Sequence, residues 1–156
     1  MKAYIIILLV LLLPLTVCAC AGDFRSDLGC SELGARLTSS VPLDGGYFMQ
    51  SESYLNYYFP DFEGDAALFK SSSNSSENEF GIFRNTGKAD ARALCERYIE
   101  RQRNEYLSAK GNYTPDEYEK YRKAAVYTCG NYVIFTIMTP EDSAKLMTEA
   151  RAVLSE

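Results

Sequence analysis

Apolar positions along the second half of the chain change period from two to about 3.6 and back, and each change marks an element. Over 88–107, Ala91, Leu94, Cys95, Tyr98 and Ile99 recur at i, i+3, i+4, i+7 and i+8, with Tyr106 continuing the stripe. That spacing predicts an amphipathic helix. Its other face carries Arg92, Glu96, Glu100, Arg101, Arg103 and Glu105, read as a solvated surface with i, i+4 pairs Arg92–Glu96 and Arg101–Glu105. Upstream, 66–71 and 79–84 read as strands around a Ser/Asn-rich loop too polar to bury. Downstream, 124–129 and 132–138 flank Gly130-Asn131, a recognised two-residue hairpin turn. Residues Tyr132 to Met138 are almost continuously apolar, which predicts a central strand.

Two helix starts are spelled out in the sequence. Thr114-Pro115-Asp116-Glu117 and Thr139-Pro140-Glu141-Asp142 each place a capping hydroxyl before a proline, then acids at the positive end of the helix dipole. The second opens a closing helix with Leu146, Met147, Ala150, Val153 and Leu154 on one face. Nearer the N-terminus, 30–37 is a short amphipathic helix around Leu33 and Leu37, and Asp44-Gly45-Gly46 is a turn. The aromatic stretch holding Tyr47, Phe48, Tyr54, Tyr57, Tyr58, Phe59 and Phe62 fits no single element. The resulting order of hairpin, helices, hairpin and helix predicts an α+β two-layer sandwich over 30–156, an antiparallel sheet with helices packed on one face.

The first residues follow a different pattern. Met1-Lys2 precedes a largely apolar run to Val17, then small residues, which is the layout of an export signal. Val17-Cys18-Ala19-Cys20 has the form of a lipobox: an aliphatic residue, a variable one, a small one, then the cysteine that receives lipid. On that reading 1–19 is a lipoprotein signal peptide, Cys20 is acylated and becomes the first residue, and 20–29 is a tether. Two alternatives stand beside it: cleavage after Ala21 to release a secreted protein, and retention of the run as a membrane helix interrupted by Pro14.

Composition narrows the chemistry. There is no histidine in 156 residues, so a His base, a Ser–His or Cys–His pair and a His metal ligand are all excluded. A net charge of −5 argues against nucleic acid as a partner. No cofactor and no metal site is expected; the acids of 116–119 are accounted for by helix capping. Beyond Cys18 and Cys20 the cysteines are Cys30, Cys95 and Cys129, an odd set with room for one disulfide. Cys95–Cys129 is the candidate pair, and burial of both as small apolar side chains is the other reading.

Residues 79–138 also carry a set of short motifs: Asn78-Glu79-Phe80-Gly81-Ile82-Phe83, Thr86-Gly87-Lys88-Ala89, Glu100-Arg101-Gln102, Tyr113-Thr114-Pro115 and Gly130-Asn131-Tyr132-Val133-Ile134. As a set they resemble the bacterial lipoprotein family catalogued as domain of unknown function 4358. The resemblance implies an envelope lipoprotein, in agreement with the leader, and supplies no catalytic residues. The Ser-rich loop and the three later cysteines depart from the family's pattern.

No catalytic constellation stands out among the 21 acids. The one stretch with a binding chemistry of its own is the tyrosine run: Tyr54, Tyr57 and Tyr58 could present large apolar bodies with polar tips to a sugar or a protein. Packing of those rings against the sheet is the competing reading. The expectation is a non-enzymatic lipoprotein, anchored to the outer face of a membrane, that binds an envelope protein or small ligand. The alternative is an enzyme or inhibitor acting on envelope polymers or peptides through carboxylates or tyrosines.

Overall fold

A computed structural model describes residues 24–41, 46–71, 78–85, 87, 89–108 and 115–156. The elements are α1 (Cys30–Ser40), β1 (Tyr47–Met49), α2 (Glu52–Tyr58), β2 (Ala66–Ser71), β3 (Glu79–Arg84), α3 (Ala91–Ser108), α4 (Pro115–Lys123), β4 (Ala125–Cys129), β5 (Tyr132–Ile137) and α5 (Pro140–Leu154). The strands form one antiparallel sheet in the order β1-β2-β3-β5-β4. The class is therefore α+β, as the pattern predicts. Both hairpins, the long charged helix and the closing helix fall within a few residues of their expected bounds. Thr139 caps α5 as expected, its Oγ1 accepting the Asp142 N–H at 3.2 Å. Thr114 lies outside the described residues.

The layering differs from expectation. Successive strand residues point to opposite faces, and both faces are buried. Phe69, Phe80, Ile82, Tyr132 and Ile134 pack with Cys30, Leu33 and Leu37 of α1 and Leu146, Met147 and Ala150 of α5. Leu68, Phe83, Val133, Phe135 and Ile137 pack with Leu94, Cys95, Tyr98 and Ile99 of α3, and with Phe59 and Phe62. Helices thus cover both faces rather than one, making three layers. β5, the strand predicted to be central, is interior and has all six residues buried.

The segment expected to be a free tether is partly built into the domain. Phe24 lies against Gly130, the Arg25 N–H donates to the Leu154 carbonyl at 2.8 Å, and Leu28 is buried. The Tyr132 hydroxyl donates to the Leu28 carbonyl at 2.7 Å. From this approach the chain enters α1, whose first N–H, at Cys30, donates to Asp65 Oδ2 at 2.9 Å. Asp65 in turn pairs with Arg84 at 3.3 Å. A carboxylate suits the positive end of a helix dipole, so a loop distant in sequence anchors this helix.

The candidate disulfide does not form. Cys30, Cys95 and Cys129 are all free and buried. Cys95 belongs to the α3 face and Cys129 to the α1–α5 face, so the sheet stands between them. Burial pushes the Cys30 thiol up to about 12, and it raises Cys95 and Cys129 as well. Thiolate is the reactive form. These thiols should therefore stay unreactive toward an alkylating reagent in the folded protein and react on unfolding. Fast alkylation under native conditions, or a change in the domain's mass on reduction, would contradict this.

Candidate functional site

The tyrosine run becomes a short helix because Ser51 caps it. Ser51 Oγ accepts the Tyr54 N–H at 3.3 Å, and Glu52 follows at the positive end of α2. One turn later the ring of Tyr58 meets Tyr54, with centroids 4.7 Å apart, and also stands edge-on to Tyr98 at 5.2 Å. Tyr54 and Tyr58 are half-buried, whereas Tyr57 is 66% exposed. Two rings of the run therefore pack, as the competing reading expects, and one faces out.

Two cations lie over these rings. Arg101, exposed on the charged face of α3, sits 4.9 Å from the Tyr58 centroid and 5.5 Å from that of Tyr57. Its Nε donates to Glu105 at 2.8 Å. Lys70 sits 5.0 Å from the Tyr54 centroid. Each such contact contributes on the order of 0.5–1 kcal/mol when partly exposed, enough to hold a platform in place. Phe48, the cross-strand partner of Lys70, projects from the same sheet face and is 60% exposed. The exposed members of this set, its outer rim, are Phe48, Tyr57 and Arg101.

Beneath the platform is a buried acid that the sequence reading did not single out. Glu79 is 4% exposed. The Tyr98 hydroxyl donates to its Oε1 at 2.6 Å, and Lys70 Nζ lies 3.3 Å from its Oε2. Lys70 and Glu79 face each other in the β2–β3 ladder. Their flanking positions about the Ser-rich loop are the sequence signal that would have paired them. Burial, and then the charge on Glu79, strongly suppress ionisation of Tyr98. Burial raises Tyr58 as well, followed by its neighbour Tyr54. Tyr98 is accordingly a donor and not a base, and each Glu79 oxygen already has a partner. The network braces the sheet, the helix α3 and the rings of α2 as one rigid unit.

The other flank of α2 borders a cavity of about 390 Å³ lined by Met49, Gln50, Glu52, Leu55, Asn56 and Asp65. Among the described residues no three His, Cys, Asp or Glu side chains are grouped to hold a metal ion, and no helix is long and apolar enough to cross a membrane. Cys20 lies outside the described residues.

The pattern of one protein family matches residues 61–138, half of the chain, from the loop before β2 to the end of β5. The chain belongs to the family DUF4358, a domain of unknown function. No curated protein and no solved structure gives a match to it. The DUF4358 span contains the Lys70–Glu79–Tyr98 network and Arg101. It excludes β1 and α2, so the exposed rings Phe48 and Tyr57 lie on parts of this chain outside the family pattern.

Proposed function

We propose that this DUF4358 chain is an extracytoplasmic lipoprotein, held to a membrane through Cys20, that binds a protein partner at the rim formed by Phe48, Tyr57 and Arg101. The lipobox pattern supports the location. The observation that carries the binding role is the exposure of Tyr57 (66%) beside a guanidinium on a braced platform, with Phe48 (60%) exposed on the same sheet face. Aromatics and Arg are the side chains that most often anchor protein interfaces.

The neighbouring strand edge favours a protein over a sugar. The Gln50 N–H donates to Leu68 O, so in the alternating antiparallel ladder Gln50 and Phe48 bond inward. Tyr47 and Met49 then turn their backbone groups outward, and among the described residues no strand pairs with them. An unpaired edge beside apolar side chains accepts an extended segment of another chain.

A photo-crosslinking residue in place of Tyr57, in cells that make the lipidated protein, should give a discrete protein adduct. Phe48→Ser and Arg101→Glu should each weaken it. Absence of any adduct at that position, with lipid on Cys20 verified by intact mass, would reject the binding role. An unmodified mature start at Gly22 would instead reject the anchor.

One observation favours the enzymatic alternative: Glu79, Tyr98 and Tyr54 come together from three separate elements. That reading requires Glu79→Gln to abolish turnover of an envelope polymer while leaving the fold intact. The saturated partners of Glu79 argue for a bracing role instead.

A further inference from the structure

Chain geometry connects the proposed anchor to one particular end of the domain. Phe24 is seated on the Gly130 turn, and the residues after it are bonded in place: Arg25 to Leu154, Leu28 to Tyr132 and Cys30 to Asp65. Arg84 also reaches the Ser26 carbonyl, at 3.4 Å. The reach between an acyl group on Cys20 and the folded body is thus bounded by the covalent step from Cys20 to Phe24. Four Cα–Cα steps span at most about 15 Å.

The Gly130–Asn131 turn end of the sheet suits a polar headgroup surface. Ser26, Asp27, Asn85, Thr128 and Asn131 are exposed around it. The exposed large apolar side chains among the described residues are Phe48, Met49, Tyr57, Leu107 and Tyr118, and none lies at this end. Phe48 sits in the ladder row of Lys70, Glu79 and Ile137, and the Phe24 end is marked by Arg84 and Tyr132. Five residue steps along β3, from Glu79 to Arg84, separate the two rows, roughly 17 Å at strand rise. Helix α3 runs the same way, from Arg92 beside Thr128 to Tyr98 at Glu79 and on to Leu107.

We propose that the Gly130–Asn131 end of the domain lies on the phospholipid headgroups, without inserting, and that the short link from Cys20 holds the Phe48–Tyr57 rim away from the bilayer. This rests on the anchor reading above and goes further: the domain has a fixed pole toward lipid, and its apolar rim is aimed at a partner and not at the membrane.

The test uses the full lipidated chain in phosphatidylcholine–phosphatidylglycerol vesicles carrying a headgroup-linked fluorescence quencher. Asn131→Cys and Phe48→Cys are each labelled under native conditions, where the buried native thiols stay silent. Strong quenching is expected at residue 131 and little at residue 48. Inserting about fifteen Gly/Ser residues, a flexible coil, between Asp23 and Phe24 should abolish quenching at residue 131 while the protein still floats with the vesicles. Equal quenching at both positions, stronger quenching at residue 48, or no effect of the insertion would overturn the orientation. Mass measurement of the same preparation separates this from failure of the anchor: an unlipidated N-terminus and no flotation remove the anchor reading, and the orientation with it.

Discussion

Glu79→Ala should destabilise the domain by about 3 kcal/mol or more, because removing one member of a buried pair leaves its partners desolvated and poorly matched. The carboxylate is 4% exposed and receives both the Tyr98 hydroxyl at 2.6 Å and the Lys70 ammonium at 3.3 Å. Its loss also loosens Lys70 over Tyr54 and Tyr98 against Tyr58, so the effect should extend to the α2 platform. Urea unfolding would measure the stability, and proteolysis within 52–58 would report the platform. Glu79→Gln keeps an acceptor for Tyr98 and should cost less. The triple replacement Lys70→Met, Glu79→Leu, Tyr98→Phe should recover much of the loss, since an apolar set needs no pairing. A Glu79→Ala protein within about 1 kcal/mol of wild type would show that the network is not a brace.

The elements were legible where local chemistry specifies them. Alternation at 79–84, the stripe through Leu94 and Tyr98, the Gly130-Asn131 turn and the Thr139-Pro140 cap are all short-range signals, and each gave the observed element. The number of layers is also present in the sequence. An antiparallel strand with one wet face alternates apolar and polar residues, whereas Tyr132 to Ile137 carries no charged residue and is buried throughout. A strand of that kind must be covered on both sides. Reading it so would have sent α1 and the closing helix to one face and the long charged helix to the other.

What remained illegible depends on contacts between distant residues. No local signal tells that Asp65 will anchor the start of α1, or that Phe24 will close on Gly130 and turn a supposed tether into part of the body. Helix α2 was missed because tyrosine and asparagine are weak helix formers; its Ser51 cap is the single cue. At the candidate site the three tyrosines were visible, yet the residues that fix them were not. Arg101 was assigned to solvent by helical period, and its cation–π contacts appear only once α2 folds back over α3. The family span has a related consequence. It contains four of the five described strands but neither α1 nor α5, which pack on one face of the sheet. The chain outside 61–138 therefore completes the core as well as carrying the exposed rim.

Gly81 and Phe135 should show strong energetic coupling. They face each other across the β3–β5 ladder, and the Phe135 ring lies over the glycine so closely that a Cβ there would collide with Phe135 Cε1. A glycine inside a strand ordinarily weakens it by roughly 0.5–1 kcal/mol; here its missing side chain is the space that the ring fills. Phe135 is fully buried against Phe59, Phe83 and Tyr98. Phe135→Ala should accordingly cost about 3–5 kcal/mol through lost burial and the cavity left behind. Gly81→Ala alone should cost about 1–3 kcal/mol through overpacking, because the ring can escape only by leaving its rotamer or pushing Phe83 and Tyr98. In the double variant the new methyl enters the vacated volume, so the two costs should not add, and the double variant should be no less stable than Phe135→Ala. Denaturation of all four proteins closes the cycle. Simple additivity would mean that the ring does not rest on the glycine, and that the packing of the α3 face is not organised around this pair.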